Sequence, residues 1–457
     1  MGYARIKNNV VVLLFLSTAL CCNKKEFLDA SPGTQLAVPG TPADLQAVLD
    51  NVWTMNHSLP LTEISGDDYY TDYANWTTLP ITAKNAYKWA ADIYEGRIDT
   101  GDWYLGYKQV YSCNVVLEEL ARMPVATGRQ NEWNAIKGSA LFMRAWAFYN
   151  LAQLFAPAYD STMAAHELGI VVRLKSDIRE PSVRATLKET YDQVLNDLMS
   201  AIPLLPPLNT MNRARPSVPA AQAMLARVYL SMGRYSLASQ YAEECLQAHG
   251  MLMDYNQVDA NKYFMFARNN PEVLYQSGLY SGSFTSYAWG FYVDSLLYQS
   301  YANEDIRKNV FFMLLPDGKP AFRGSYSGDA FLFTGLATDE LYLVKAECAA
   351  RQGKTNEAIY WLNWLLVKRF TTGSFVPVTA ATPAEALQKI LTERRKELVM
   401  RSMRWPDVKR LNKANAAITL TRILDNQTYQ LPANNNRFTL PIPPDVIART
   451  GMPQNPR

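Results

Sequence analysis

The chain has 457 residues, of which 48% are hydrophobic and 12% aromatic, and its formal net charge is +3. This is the composition of a folded protein with a large core and not that of a disordered chain. The basic residues are dispersed and form no block. Because phosphate binding needs clustered Lys and Arg, nucleic acid is excluded as a partner.

The first 21 residues have the features of an export signal. Arg5 and Lys7 precede an apolar run at 10–20, which is shorter than the roughly 20 residues that a membrane-spanning helix needs. Cys22 follows this run, as in bacterial lipoprotein signals, where the cysteine is acylated after cleavage. We predict that residues 1–21 are removed and that lipid on Cys22 is the only membrane contact. A conventional cleavage site with two chance cysteines is the alternative.

Residues 22–457 are predicted to form one mainly α domain, an α-α superhelix of helix pairs with an irregular, loop-rich ligand-binding region. Helical periodicity marks a scaffold at about 101–248 and 337–412. Periodicity is weak at about 60–100 and 260–335, which we interpret as loop-rich ligand-binding zones. Cys113, Cys245 and Cys348 lie on apolar helix faces and are interpreted as small core residues rather than as a disulfide framework.

Two helix hairpins share one spacing of small residues. Ala226, Gly233 and Ala238 lie in the first hairpin, at 219–246. The same Ala–x6–Gly–x4–Ala spacing recurs at Ala346, Gly353 and Ala358. This spacing is typical of tetratricopeptide-type repeats, although alanine-rich helix pairs also occur in ordinary bundles.

Two segments that overlap the loop-rich zones, 69–111 and 263–301, carry aromatic residues at more than twice the chain average of 12%. Aromatic rings present flat apolar faces that stack on sugars, and the Tyr hydroxyl or Trp N–H adds a directed hydrogen bond. Loops on a rigid scaffold often carry such sites, although buried rings are more often core. The candidate ligand-binding residues are Asp68, Tyr69, Tyr70, Tyr73, Trp76, Trp89, Tyr280, Tyr287, Trp289 and Tyr292.

The search for catalytic motifs is largely negative. His57, His166 and His249 have no metal-ligand spacing, and the chain has no phosphate loop, dinucleotide fingerprint or nucleophile elbow. We therefore predict no catalytic residues, metal or cofactor. The paired carboxylates Asp67-Asp68, with Asp72, leave a helical glycoside hydrolase as an alternative, since such enzymes need two carboxyl groups across the scissile bond.

Several stretches, in order along most of the chain, resemble the SusD/RagB family of nutrient-binding outer-membrane lipoproteins. The matching segments are CCNKKEFLD, YKQVYSCNVVLEEL, IKGSALFMRAWAFYNLAQLF, ETYDQVLNDLMSAIPLLP, RARPSVPAAQAMLARVYLSMGRY, LTERRKELVMRSMRWPDVKRL and LPIPPDVIARTGMPQNP. The chain departs from the family pattern at Cys113 and Ser139, where Ala and Glu are usual, and at Arg401-Ser402, where Glu-Gly is common.

The resemblance implies a surface-exposed, lipid-anchored protein of the outer membrane that does no chemistry. Such proteins capture oligosaccharides and deliver them to a SusC-like TonB-dependent transporter. A peptide-binding member of the same family is the first alternative. The charges of the segment 394–410 alternate in sign, and we predict that they form ion pairs tying the last helices to the body.

Overall fold

The computed structural model describes residues 40–98, 101–125, 127–208, 211–279 and 290–457. The chain divides into two compact units, residues 1–44 and 45–457. Of the first unit, residues 40–44 are described, and there the Thr41 hydroxyl donates a hydrogen bond of 2.8 Å to Asp44. Across the described ranges, no helix combines the length and apolar character needed to cross a membrane.

The fold is mainly α, which confirms the predicted class. The α-helices of the described residues are α1 (Pro42–Leu49), α2 (Val52–Met55), α3 (Leu61–Ile64), α4 (Tyr73–Thr78), α5 (Ile81–Tyr87), α6 (Asp102–Arg122), α7 (Gln130–Phe155), α8 (Leu187–Ala201), α9 (Val218–Ser231), α10 (Tyr235–Ala248), α11 (Ser295–Gln299), α12 (Arg307–Phe311), α13 (Thr338–Arg351), α14 (Thr355–Leu366), α15 (Pro383–Glu397), α16 (Arg404–Lys413) and α17 (Pro444–Thr450).

The strands are short and form antiparallel pairs. In chain order they are β1 (Tyr69–Thr71), β2 (Val273–Tyr275), β3 (Gly278–Leu279), β4 (Phe291–Val293), β5 (Phe312–Leu314), β6 (Pro320–Phe322), β7 (Leu332–Phe333), β8 (Leu336–Ala337), β9 (Leu420–Leu424) and β10 (Gln427–Leu431). The pairs are β1 with β4, β2 with β8, β3 with β7, β5 with β6 and β9 with β10. Most of these strands lie in the two segments where the sequence loses helical periodicity.

The long helix α7 is buried on nearly all sides from Gly138 onwards, between α6 and α8. Arg144 on α7 donates two hydrogen bonds, of 2.8 and 2.7 Å, to the carboxylate of Asp197 on α8. A third N–H of the same guanidinium donates to the Asn114 side chain on α6 at 2.9 Å. Because both charges are buried, this bidentate pair fixes the relative positions of the three helices.

The two hairpins with the shared spacing are α9–α10 and α13–α14. Ala226 and Ala238 are fully buried in the first hairpin, and Gly233 turns the chain between its helices with φ of 70°. The second hairpin repeats this with Gly353, whose φ is 79°. A left-handed residue between two helices favours glycine, and buried alanines let the helices approach closely. The helices α10 and α13 then pack against each other and join the hairpins.

The alternating charges of residues 394–410 form ion pairs, as predicted, but the pairs lie in the interior. Arg394 pairs with Asp407 at 2.8 Å, and Arg410 pairs with Glu347 at 2.6 Å. Glu397, on α15, has no solvent exposure at all. The last two long helices are therefore tied to the body by charges that water does not screen. Cys113, Cys245 and Cys348 are buried and unpaired, as predicted.

Candidate functional site

The pairing of β1 with β4 brings the two aromatic zones of the sequence together. Tyr70 lies opposite Tyr292 in this ladder, and Thr71 lies opposite Phe291. The Thr71 hydroxyl also donates a hydrogen bond of 2.7 Å to the Gly290 carbonyl, 219 positions along the chain. Because successive side chains in a strand point to opposite faces, the pairing sorts the aromatic residues into an inner and an outer set.

The inner set belongs to the core. Tyr69 is 2% exposed, and its ring lies 5.7 Å from that of Phe291. Trp89 is equally buried, and its indole N–H donates a hydrogen bond of 2.9 Å to the Ser65 carbonyl. The guanidinium of Arg422 lies 5.0 Å from the Tyr69 ring and 5.1 Å from the Trp89 ring. The faces of both rings are therefore occupied by protein, which leaves them no surface for a ligand.

The outer set begins with Tyr70 and Tyr292, whose ring centroids are 5.4 Å apart. Lys319, in the turn between β5 and β6, lies with its ammonium 4.3 Å from the Tyr292 ring and pairs with Asp317 at 3.1 Å. Partial burial raises the pKa of the Tyr70 hydroxyl. The hydroxyl therefore stays protonated at neutral pH and is able to donate a hydrogen bond.

A second ring pair lies on α4, directly after β1. Tyr73 and Trp76 stack with centroids 5.5 Å apart and planes 27° apart. The Trp76 N–H donates a hydrogen bond of 3.0 Å to the Lys84 carbonyl, which fixes the indole. Tyr73 is 47% exposed, and Trp76 is half-buried.

Asn75 lies between Tyr73 and Trp76 in the sequence, and its side chain contacts Gly290, which has φ of 74°. A Cβ atom at Gly290 would overlap with the Asn75 side-chain amide, and the positive φ independently favours glycine there. This contact holds α4 beside the start of β4. Tyr70, Tyr73, Trp76 and Tyr292 therefore form one group, which we call the aromatic patch; Tyr73 is its exposed member, and Tyr292 is 8% exposed.

The adjacent acidic residues lie beneath the aromatic patch in ion pairs. Asp68 is 2% exposed and accepts a hydrogen bond of 2.8 Å from Arg395, and Asp67 accepts one of 2.5 Å from Arg404. Burial opposes ionisation of Asp67, but Arg404 and Arg395 outweigh it and lower its pKa to about 2. Asp72 caps α4 and accepts from the Asn75 N–H at 2.9 Å. The three carboxylates thus have structural partners, and Asp68 is sealed from solvent.

Three carboxylates lie close enough together to offer ligands to a metal ion in the described part of the chain: Glu272, Asp339 and Glu397. Arginine already supplies the positive charge there. Arg369 bonds both Glu272 and Glu397, and Arg401 lies 2.7 Å from Asp339. The donor set therefore serves buried ion pairs, and no step of a reaction follows from it.

The candidate residues differ in their exposure to solvent. Tyr73 is exposed and Tyr70 and Trp76 are half-buried, whereas Tyr292 is 8% exposed and Asp68, Tyr69 and Trp89 lie in the interior. Four residues lie outside the described ranges: Cys22, Tyr280, Tyr287 and Trp289. Lys319 was not among the candidates. Asp317-Gly318-Lys319 is readable as a turn, but its contact with Tyr292 depends on the packing of β4 against β6.

Comparison with known protein families gives two matches. A family described as "Starch-binding associating with outer membrane" matches residues 26–230. A second profile, described as "SusD family", matches residues 338–457. Together the matches cover well over half of the chain, including β1, α4 and the helices α15 and α16, whose arginines hold Asp67 and Asp68, whereas β4 with Tyr292 lies between the two matches.

Individual relatives are distant in sequence but similar in length and fold. SusD-like protein P2 of Formosa agariphila is 24% identical over 392 residues, which is 72% of this chain and 75% of the relative. A SusD superfamily structure from Bacteroides thetaiotaomicron superposes with a TM-score of 0.73 at 21% identity, covering 91% of this chain and all of that one. A SusD-like carbohydrate-binding protein from Bacteroides vulgatus gives 0.68 at 20% identity, covering 90% and 97%.

Proposed function

The chain belongs to the SusD/RagB family, and from this premise we propose that it captures glycans at the aromatic patch and delivers them to a SusC-like TonB-dependent transporter. In this proposal the protein is held at the outer membrane by lipid on Cys22 and faces the cell exterior. The description of the family that matches residues 26–230 refers to starch binding and outer-membrane association, which supports glycan binding and the proposed location.

The observation that carries the glycan proposal is the ladder between β1 and β4. It sets Tyr70 beside Tyr292 on the outer face, next to the stacked pair Tyr73 and Trp76. Consecutive sugar rings present apolar C–H faces flanked by hydroxyl groups. The stacked pair of Tyr73 and Trp76 offers a stacking surface to such a chain, and the Tyr70 hydroxyl and the Lys319 ammonium, which lies over the Tyr292 ring, offer hydrogen-bond donors beside it.

Binding without hydrolysis is favoured by the state of the carboxylates. A glycosidase needs two carboxyl groups facing each other across a substrate that both can reach. Asp67 and Asp68 are instead neutralised by Arg404 and Arg395 beneath the patch, and Asp72 is the cap of α4. We therefore propose that release of reducing ends from a bound polysaccharide will not be observed.

The glycan proposal is tested by calorimetric titration of the purified protein with a panel of neutral and acidic polysaccharides and with peptide digests. Tyr73→Ala should lower the affinity for the bound glycan about tenfold, which corresponds to about 1.4 kcal/mol. Trp76→Ala should lower it at least as much, because the indole also positions the Tyr73 ring. Neither ring lies in the deep core, so both variants should remain folded by circular dichroism.

Tyr360→Ala is the matched control, since Tyr360 is a similarly exposed tyrosine, at 53%, on the scaffold helix α14. It should bind as the wild type does. Wild-type affinity in both patch variants would refute the assignment of the patch. Binding of peptides and of no glycan would instead favour the peptide-binding alternative.

A further inference from the structure

A second concave surface lies beyond the C-terminal end of α7, where α16 and residues 434–439 meet the chain that follows Phe155. Its volume is about 390 Å³, at the low end of the range for small-molecule pockets. None of the four residues of the aromatic patch lines it. The lining is rich in amide and charged side chains, so the cavity differs in chemistry from the patch as well as in place.

The floor of this cavity contains a buried ammonium group. Lys409 is 4% exposed and donates hydrogen bonds to the backbone carbonyls of Gln153, at 2.6 Å, and Ala156, at 2.7 Å. Among the described residues no carboxylate pairs with it, and burial lowers its pKa to about 7. A lysine ammonium has three N–H donors, so one remains for a group inside the cavity.

The opposite wall contains a buried acceptor without a partner. One carboxylate oxygen of Glu167, Oε2, is shielded from solvent and accepts no hydrogen bond from the described part of the chain. Burial raises the pKa of Glu167, against the opposing effect of Lys413. Leaving such an oxygen unsatisfied is costly. Glu167 is half-buried and lines the cavity, so its carboxylate is the acceptor that this side of the lining offers.

The rim adds groups that both donate and accept. The exposed side-chain amides of Asn415 and Asn436 line the cavity and are not hydrogen-bonded within the described ranges. Across the whole lining, the charges of Lys409 and Lys413 are balanced by those of Asp160 and Glu167. A balanced set of donors and acceptors disfavours a charged ligand and matches hydroxyl groups, which donate and accept at once.

From this arrangement we propose that the cavity is a second saccharide site, which binds one or two neutral sugar rings. Hydroxyl groups of the sugar accept from Lys409 and Asn436 and donate to Glu167. Phe438 lines the cavity and offers it a small apolar contact, since it is 5% exposed and its ring packs against that of Trp405 with centroids 4.9 Å apart. The small volume limits the ligand to a short saccharide or to the end of a chain.

The test is saturation-transfer-difference NMR on the full-length protein, with glucose, galactose, maltose, cellobiose and laminaribiose as probes. The double variant Asn436→Ala/Asn415→Gly removes the two rim amides. Glycine is chosen at 415 because Asn415 has φ of 66°, which alanine adopts poorly. The variant should weaken the binding of at least one probe about tenfold or more, as expected for two lost hydrogen bonds. Glu167→Gln, which keeps the shape of the wall, should weaken it less.

Two controls make the result decisive. Asn261→Ala removes an exposed amide outside the cavity and should leave probe binding unchanged. Tyr73→Ala disrupts the aromatic patch, and the double variant should weaken probe binding by the same factor in the Tyr73→Ala background as in the wild type, so failure of the patch proposal is distinguishable from failure of this one. The inference is overturned if the double variant, folded by circular dichroism, binds as the wild type does. It is equally overturned if no probe binds, or if Tyr73→Ala abolishes the signal.

Discussion

Glu397 lies on α15 among buried charges, and its replacement by alanine is a direct test of how the C-terminal helices are held. Its carboxylate accepts hydrogen bonds from Arg307, at 2.9 Å, and from Arg369, at 2.7 Å, and all three side chains have no solvent exposure. The variant removes both acceptors at once. Had this pair been exposed, as the sequence alone would allow, the loss would be about 0–1 kcal/mol.

Because the pair is buried, we expect a larger loss of folding free energy. Removing one partner of a buried ion pair costs about 3–5 kcal/mol, because the other charge is left buried without compensation. Here both arginines keep other carboxylates, Arg369 with Glu272 and Arg307 with Asp305, so we expect the lower end, about 3 kcal/mol. For a unit of roughly 400 residues, the usual entropy of unfolding converts this into a fall in Tm of about 4 °C.

The assay is scanning calorimetry at pH 7, with Glu357→Ala as the control. Glu357 pairs with Lys354 at 3.4 Å on an exposed helix end, and its removal should lower Tm by less than about 1 °C. Equal shifts in the two variants would refute the argument from burial.

A pH series gives a second check on Glu397. Burial raises its pKa, but Arg369 and Arg307 outweigh that effect and hold it below the ordinary value of 4.5. The stabilisation is therefore present above pH 4.5 and is lost as the pH falls through the lower folded-state pKa. The difference in Tm between wild type and variant should shrink in that acidic range and stay constant above it.

Three further predictions concern other parts of the chain. Burial, and to a lesser extent Asp68, raise the pKa of Glu63 to about 7, so the wild type should lose stability as the pH rises from about 4.5 to 7. In denaturant titrations Glu63→Gln should therefore be more stable than the wild type by roughly 3 kcal/mol at pH 8, and its stability should be unchanged at pH 5. Ser402 has φ of 57°, which glycine adopts without strain, so Ser402→Gly should raise stability by about 1 kcal/mol, and a loss would contradict the strain. Cys22→Ala should abolish membrane association in cell fractionation, and full retention would contradict lipidation at that residue.

Local sequence patterns were enough to predict the helical scaffold. The spacing of Ala226, Gly233 and Ala238 depends only on helix period, side-chain size and the left-handed turn that glycine allows. The alternating charges near Glu397 likewise predicted ion pairs, because their partners had to be other charges. The burial of those pairs was not predictable, because the sequence does not indicate whether water or protein surrounds a charged side chain.

The sequence was not sufficient to predict which aromatic residues lie at the candidate site. It identified two aromatic-rich segments, but Tyr69, Tyr70 and Trp89 are chemically alike, and composition does not separate a core ring from a surface ring. That separation depends on the ladder between β1 and β4, whose partners Tyr70 and Tyr292 are more than 200 positions apart. A strand pairing fixes which side chains face outward, and only the assembled fold brings these two short strands together. The sequence by itself thus determined the scaffold and the kind of residue at the site, whereas the tertiary structure decided which rings remain at the surface.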